Sequence, residues 1–168
     1  MRRFIGITLV IVTCFIIQST IFQALALADV VPNLLIIVTV AVGYMRGQNE
    51  AIFTGFGCGL LVDCMYGEVI GLYALIYILI AFLIGFCNKI YYRDDFTIPL
   101  ILVGVSDLSY NFLYYIFEFL LRNRQSFPFY FIRIMVPELI YTVLVSIFLY
   151  KLLHTLNGLL ERSENKEA

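Results

Sequence analysis

The residues best able to do chemistry in this 168-residue chain are polar side chains that lie inside long apolar segments. In one segment they recur at intervals of three and four residues, which places them on one face of a helix. An ionisable side chain costs at least about 2.5 kcal/mol in the middle of a bilayer, so this face points away from lipid. We call the set the polar seam; it comprises Asp107, Asn111, Tyr114 and Glu118, with Arg133 and Glu138 from the following segment.

Two interpretations of the polar seam remain open at the level of sequence. It could face a partner helix or line a path for an ion or substrate, since ionisable groups within spans often mark function. Alternatively, it is a buried network that holds two helices of the same chain together. Arg133 and Glu118 match in depth and could pair, and Pro137 is expected to kink the helix that carries Arg133 and Glu138.

The sequence predicts no enzyme, no cofactor and no metal site. None of the four cysteines belongs to a C-x-x-C pair, and no histidine lies near them. No glycine loop stands beside a lysine in a way that would cradle phosphates. The net charge of −1 and the lack of a large basic patch also argue against a nucleic-acid partner.

The elements that carry these residues are long apolar runs, in a chain that is 62% hydrophobic with a mean hydropathy of +0.94. The composition indicates an all-α integral membrane protein with about six transmembrane helices in one domain, residues 1–153, followed by a short tail, 154–168. The first run is longer than a signal-peptide core, which favours a retained helix. The helices are predicted at about 4–25, 32–45, 51–66, 70–90, 98–121 and 129–153.

The second and third runs are shorter than the ~30 Å hydrocarbon core requires. They form either two thin spans or a re-entrant hairpin with its tip at residues 46–50. The tail, rich in leucine from Lys151 onward, either extends the last helix as an amphipathic surface segment or ends as a frayed charged terminus. The Lys and Arg distribution predicts that both termini are cytoplasmic.

Glycine is concentrated in the third run, where Gly55 and Gly59 have the spacing of a close helix-packing motif. Packing within the bundle is favoured over a dimer face. Asp63, near the outer end of the same run, is interpreted as a solvated cap.

These residues are part of an ordered set of motifs, which runs through Pro32-Asn33-Leu34-Leu35, Arg46-Gly47, Gly55, Gly59-Leu60-Leu61-Val62-Asp63, Gly67 and Gly71-Leu72-Tyr73-Ala74-Leu75. This ordered set resembles the bacterial rod-shape-determining MreD family. Length, helix count and the short charged tail fit the family across the chain. The family-motif residues are Pro32, Asn33, Gly47, Gly55, Gly59, Asp63, Gly67 and Gly71.

The resemblance implies a multi-pass protein of the bacterial cytoplasmic membrane that belongs to the cell-elongation machinery, or elongasome. It implies binding to the membrane-anchored protein MreC in the lipid bilayer. Through MreC, directly or indirectly, it implies a link between the actin-like MreB and the glycosyltransferase and penicillin-binding transpeptidase of lateral peptidoglycan synthesis. The chain would then be a non-catalytic scaffold. The polar seam is not covered by these motifs, so its role is not implied by the resemblance.

The resemblance also implies a fold similar to the substrate-binding S-components of energy-coupling-factor vitamin transporters, and this supplies an alternative function. Such components carry an Ala-x-x-x-Ala motif early in the first helix, where this chain reads Ile5-Gly6-Ile7-Thr8-Leu9-Val10. The missing motif favours the scaffold over a small-molecule transporter component.

Overall fold

The computed structural model describes residues 2–24, 30–67, 71–90, 96–117 and 127–164, and this part of the chain is built from six helices. Helix α1 is Arg2–Ile17 and continues as a π-helical turn, Gln18–Phe22; α2 is Leu34–Arg46 and α3 is Gln48–Tyr66. Helix α4 is Leu72–Phe86, followed by a 3-10 turn, Cys87–Ile90, and α5 is Thr97–Tyr115. Helix α6 has three consecutive parts, which are Phe127–Tyr130, the π-helical Phe131–Met135 and Val136–Glu164.

Three of the described helical stretches are long and apolar enough to cross a membrane: Ile5–Phe22, Leu72–Lys89 and Pro128–Gly158. Helix α2 is also apolar but has 13 residues, which gives it a length of only about 20 Å. Helices α3 and α5 have 19 residues each and reach about 28 Å. The all-helical prediction is therefore confirmed, and the chain is an integral membrane protein.

Helix α2 is the centre of the bundle. Every residue from Leu34 to Tyr44 is buried, and the helix packs against all five others. A helix that is apolar on all sides has no lipid-facing or water-facing stripe and is typically enclosed by protein. Its shortness therefore has a structural reason, since a central helix surrounded by longer ones need not match the bilayer thickness itself.

Helices α3 and α4 have the most extensive contact of any two described helices. A Cβ atom added to Gly59 would lie 2.4 Å from the Cα of Ala74, and one added to Gly55 would lie 2.8 Å from the carbonyl oxygen of Tyr77. Neither position leaves room for a side chain, because the two backbones touch there. The Gly55 and Gly59 spacing thus serves packing inside the bundle, as the sequence predicts.

Helix α6 departs from regular α-helical geometry just before Pro137. The π-helical turn Phe131–Met135 precedes it, where the proline cannot donate a backbone hydrogen bond to the preceding turn. The helix then continues past Leu153 to Glu164, with Leu153 and Asn157 buried and Lys151 and Leu152 exposed. The first part of the predicted tail is therefore helical rather than frayed.

Candidate functional site

A buried polar cluster lies where the N-terminus of α2 meets α4 and α6. Asn33 caps α2, because its Oδ1 accepts a hydrogen bond from the backbone N–H of Ile36 at 3.2 Å. The same oxygen accepts a hydrogen bond from the Tyr77 hydroxyl at 2.8 Å, and the Asn33 backbone N–H donates a hydrogen bond to Oγ1 of Thr142 at 3.1 Å. A single motif residue therefore connects three helices inside the protein.

Helix α5 supplies the next part of the cluster. The side-chain amide of Asn111 donates to the backbone carbonyl of Asp107 at 3.1 Å, and the Tyr130 hydroxyl donates to Oδ1 of Asn111 at 3.4 Å. All three residues are buried. These contacts join α5 to the beginning of α6, and they satisfy both ends of the Asn111 amide.

Two carboxyl groups meet in this region. Glu138 is half-buried and lies within interaction range of Asp107 and Asn111, while Thr142 lies beside Asp107. Among the described residues, neither carboxyl oxygen of the fully buried Asp107 has a hydrogen-bond partner. Two negative charges this close would repel each other strongly in a medium of low dielectric constant.

A group of tyrosine rings packs beside the polar cluster. Tyr73 and Tyr77 of α4 face Tyr110 and Tyr114 of α5, with ring centroids 5.5 to 6.4 Å apart. Such offset and edge-on contacts add stability beyond the buried area. This group was not predicted from the sequence, although the i, i+4 spacing of tyrosines on both helices indicates it.

The polar seam is thus divided by the structure. Asp107, Asn111 and Glu138 come together, whereas Tyr114 joins the tyrosine group. Arg133 is exposed, with its guanidinium 5.5 Å from the centroid of the Phe129 ring. Glu118 and the expected pair between it and Arg133 lie outside the described residues. The burial of Asp107 and Asn111 favours an internal network over a surface that meets a partner.

The prediction that Asp63 is a solvated cap is wrong, because its side chain is only 2% exposed. Its two carboxylate oxygens accept hydrogen bonds from the backbone N–H groups of Tyr73 and Ala74, at 3.0 and 2.9 Å. These donors belong to the first turn of α4, where N–H groups have no partner within the helix. Asp63 therefore caps the following helix, and the positive end of the helix dipole stabilises its charge.

The remaining motif residues lie in the turns before α2, between α2 and α3, and between α3 and α4. Gly71 immediately precedes α4 and has φ +101°, and Gly47 has φ +95° between α2 and α3. Residues other than glycine disfavour such positive φ values. A Cβ on Gly67 would collide with the backbone of Asp63. Pro32 is buried just before α2. The motif thus specifies internal geometry rather than a reactive centre.

The described part of the chain contains no group of side chains arranged to bind a metal ion. No three or more His, Cys, Asp or Glu side chains there are placed to share an ion.

Comparison with known proteins identifies one family. A family model described as rod shape-determining protein MreD matches residues 1–158. No curated protein and no solved structure gives a significant match to the chain. The similarity to the S-component fold therefore stays a prediction.

Proposed function

Since the chain belongs to the MreD family of rod shape-determining proteins, we propose that it is a non-catalytic membrane scaffold of the cell-elongation complex. Family membership implies a role in determining rod shape. In the proposed function the protein binds MreC, and the two connect the MreB cytoskeleton to the glycosyltransferase and transpeptidase that build lateral wall. The observation that carries the proposal is the family match, which extends from the first residue into the last helix.

The distribution of polar groups supports a scaffold. Asn33 and Asn111 are buried and their side chains are hydrogen-bonded within the chain, so they serve the bundle itself. Large apolar side chains are exposed on most of the helices, among them Phe53, Leu83 and Ile132. Surfaces of this kind suit lipid or the helices of other membrane proteins, and a partner anchored in the same bilayer can reach them.

The transporter alternative receives less support. A substrate-binding component needs an open polar pocket that a small molecule can enter. Three polar side chains that could line such a pocket, those of Asn33, Tyr77 and Thr142, are buried. They are joined by hydrogen bonds through Asn33, so they are not open to a small molecule. We therefore retain one functional proposal.

The test is replacement of the resident MreD protein in a rod-shaped bacterium by a tagged copy of this chain. We expect cells to keep a rod shape and MreC to co-purify with the tag in mild detergent. A variant with added bulk on the lipid-facing side of α5, Val105→Phe, is the matched control and should behave as wild type, because that side chain is exposed. Rod shape without retained MreC would contradict the scaffold mechanism. A small molecule that co-purifies in place of MreC would point to the transporter.

A further inference from the structure

An apolar groove runs between α1 and α3 on the outside of the bundle. Its volume is about 780 Å³. On α3 it extends from Glu50 to Cys64, a distance of about 21 Å at 1.5 Å per residue. One wall is formed by Ile7 and Ile11 of α1. Helix α1 is only lightly packed, since 11% of the span Ile5–Phe22 is buried.

The floor of the groove contains a glycine that packing within the chain does not explain. Gly55 and Gly59 have no side chain because α4 touches their backbone. Gly57 lies on the other side of α3, where an added Cβ would meet only the Cδ1 of Ile11, at an ordinary contact distance of 3.7 Å. A small residue that leaves backbone accessible from outside is typical of a surface where another helix approaches closely.

One end of the groove carries a carboxylate. Glu50 lines the groove and forms an ion pair with Arg46 at 3.3 Å. The Arg46 side chain is 5% exposed and Glu50 is 30% exposed, so the carboxylate is the more accessible member of this ion pair at the rim. A carboxylate at this position can be shared between Arg46 and a second basic side chain, a contact that the phosphate of a lipid headgroup cannot make.

The size of the groove fits a helix. Its length of about 21 Å along α3 corresponds to about four turns of an α-helix at 5.4 Å per turn. We propose that the α1–α3 groove seats one transmembrane helix of a partner protein, with a Lys or Arg of that helix next to Glu50 and its backbone close to Gly57. The inference rests on the proposed function, because it assigns a surface to the membrane-anchored partner.

The first test compares two phenylalanines of similar exposure on different faces. Phe56 lines the groove and is 45% exposed, while Phe112 on α5 is 48% exposed. Each is replaced separately by a photo-crosslinking phenylalanine analogue in the tagged full-length chain, co-expressed with MreC. We expect irradiation to join MreC to position 56, through its transmembrane segment, and not to position 112.

The second test fills the groove. Gly57→Leu has space to fold but occupies the floor, so MreC retention is expected to fall about tenfold relative to Val105→Phe at equal amounts of folded protein. Glu50→Gln should lower the crosslink yield from position 56 without changing its target.

The outcomes separate this inference from the function on which it rests. MreC that co-purifies but crosslinks from position 112, or that is retained by Gly57→Leu, overturns the groove and leaves the scaffold intact. Crosslinks from position 56 to lipid alone, or to a second copy of the chain, also overturn it. Failure of wild-type protein to retain MreC at all overturns both.

Discussion

At the scale of single residues, Asp63 illustrates how a carboxylate is kept inside a membrane protein. Its charge is not neutralised by a basic side chain among its described contacts but is stabilised by two backbone N–H groups and the dipole of α4. Removal of the carboxylate would leave those donors buried without acceptors. The residue therefore couples the end of α3 to the start of α4.

We predict that Asp63→Ala lowers the free energy of unfolding by about 2–4 kcal/mol, since two charge-assisted hydrogen bonds are lost and two buried donors are left unsatisfied. Asp63→Asn keeps one acceptor oxygen and should cost less. Thermal unfolding in detergent measures both, with the exposed neighbour Cys64→Ala as a control expected to stay within about 0.5 kcal/mol of wild type. Equal stability of Asp63→Ala and wild type would show that the cap contributes little.

The sequence was a good guide to some residues and a poor one to others. The helical periodicity of Asp107 and Asn111 was enough to predict that they avoid lipid, because a single helix determines that face. Asp63 was misjudged because its partners, Tyr73 and Ala74, come from the next helix. A cap supplied from another helix depends on how α3 and α4 pack, which local pattern does not reveal.

At the scale of elements, six apolar runs separated by short polar or glycine- and proline-containing stretches predicted six helices. Some helix ends differ from the predicted ones because a turn determines where the helix begins. Helix α3 begins at Gln48 rather than at 51, since Gly47 with its positive φ makes the break sharp. The central position of α2 was not predictable from its sequence, because an all-round apolar helix fits both a thin span and a protein interior.

The contact between α3 and α4 is tested by adding a methyl group separately at two glycines. In Gly59→Ala the new Cβ overlaps the backbone of α4, so we expect a loss of about 1–3 kcal/mol from overpacking. In Gly104→Ala the nearest atoms are side-chain carbons of Val143 and Leu139, at 3.6 and 3.7 Å. This control should be neutral or gain up to about 1 kcal/mol from helix propensity.

Thermal unfolding of the two variants in the same detergent provides the measurement. Because both changes add the same group to a helix, the difference between them reports the contact with α4. Similar stabilities for the two variants would refute the close backbone approach at Gly59.

At the scale of the whole molecule, polar side chains are enclosed and apolar ones cover the outside. Asp63, Asp107 and Thr142 are at most 2% exposed, whereas Phe148 is 80% exposed. A water-soluble protein shows the opposite arrangement, since exposed aromatic and aliphatic surface would drive association. The pattern agrees with a chain whose surroundings are lipid.

Orientation is instead argued from basic residues, which accumulate on the cytoplasmic side of membrane proteins. With the N-terminus inside, three residues, Arg122, Arg124 and Arg133, fall outside. The other eight fall inside, namely Arg2, Arg3, Arg46, Lys89, Arg93, Lys151, Arg162 and Lys166. This imbalance predicts that both termini and the 91–97 segment are cytoplasmic and that the 122–127 segment is extracytoplasmic.

Cysteine labelling measures this topology directly. After replacement of Cys14, Cys58, Cys64 and Cys87, a membrane-impermeant maleimide should modify Gln125→Cys in intact cells. Asp94→Cys should react only once the membrane is permeabilised, since the reagent must enter the cytoplasm. Retained rod shape and normal protein level in both variants are the control for correct insertion. The reverse labelling pattern would refute this orientation and would place Glu50, together with the rim of the α1–α3 groove, on the extracytoplasmic side.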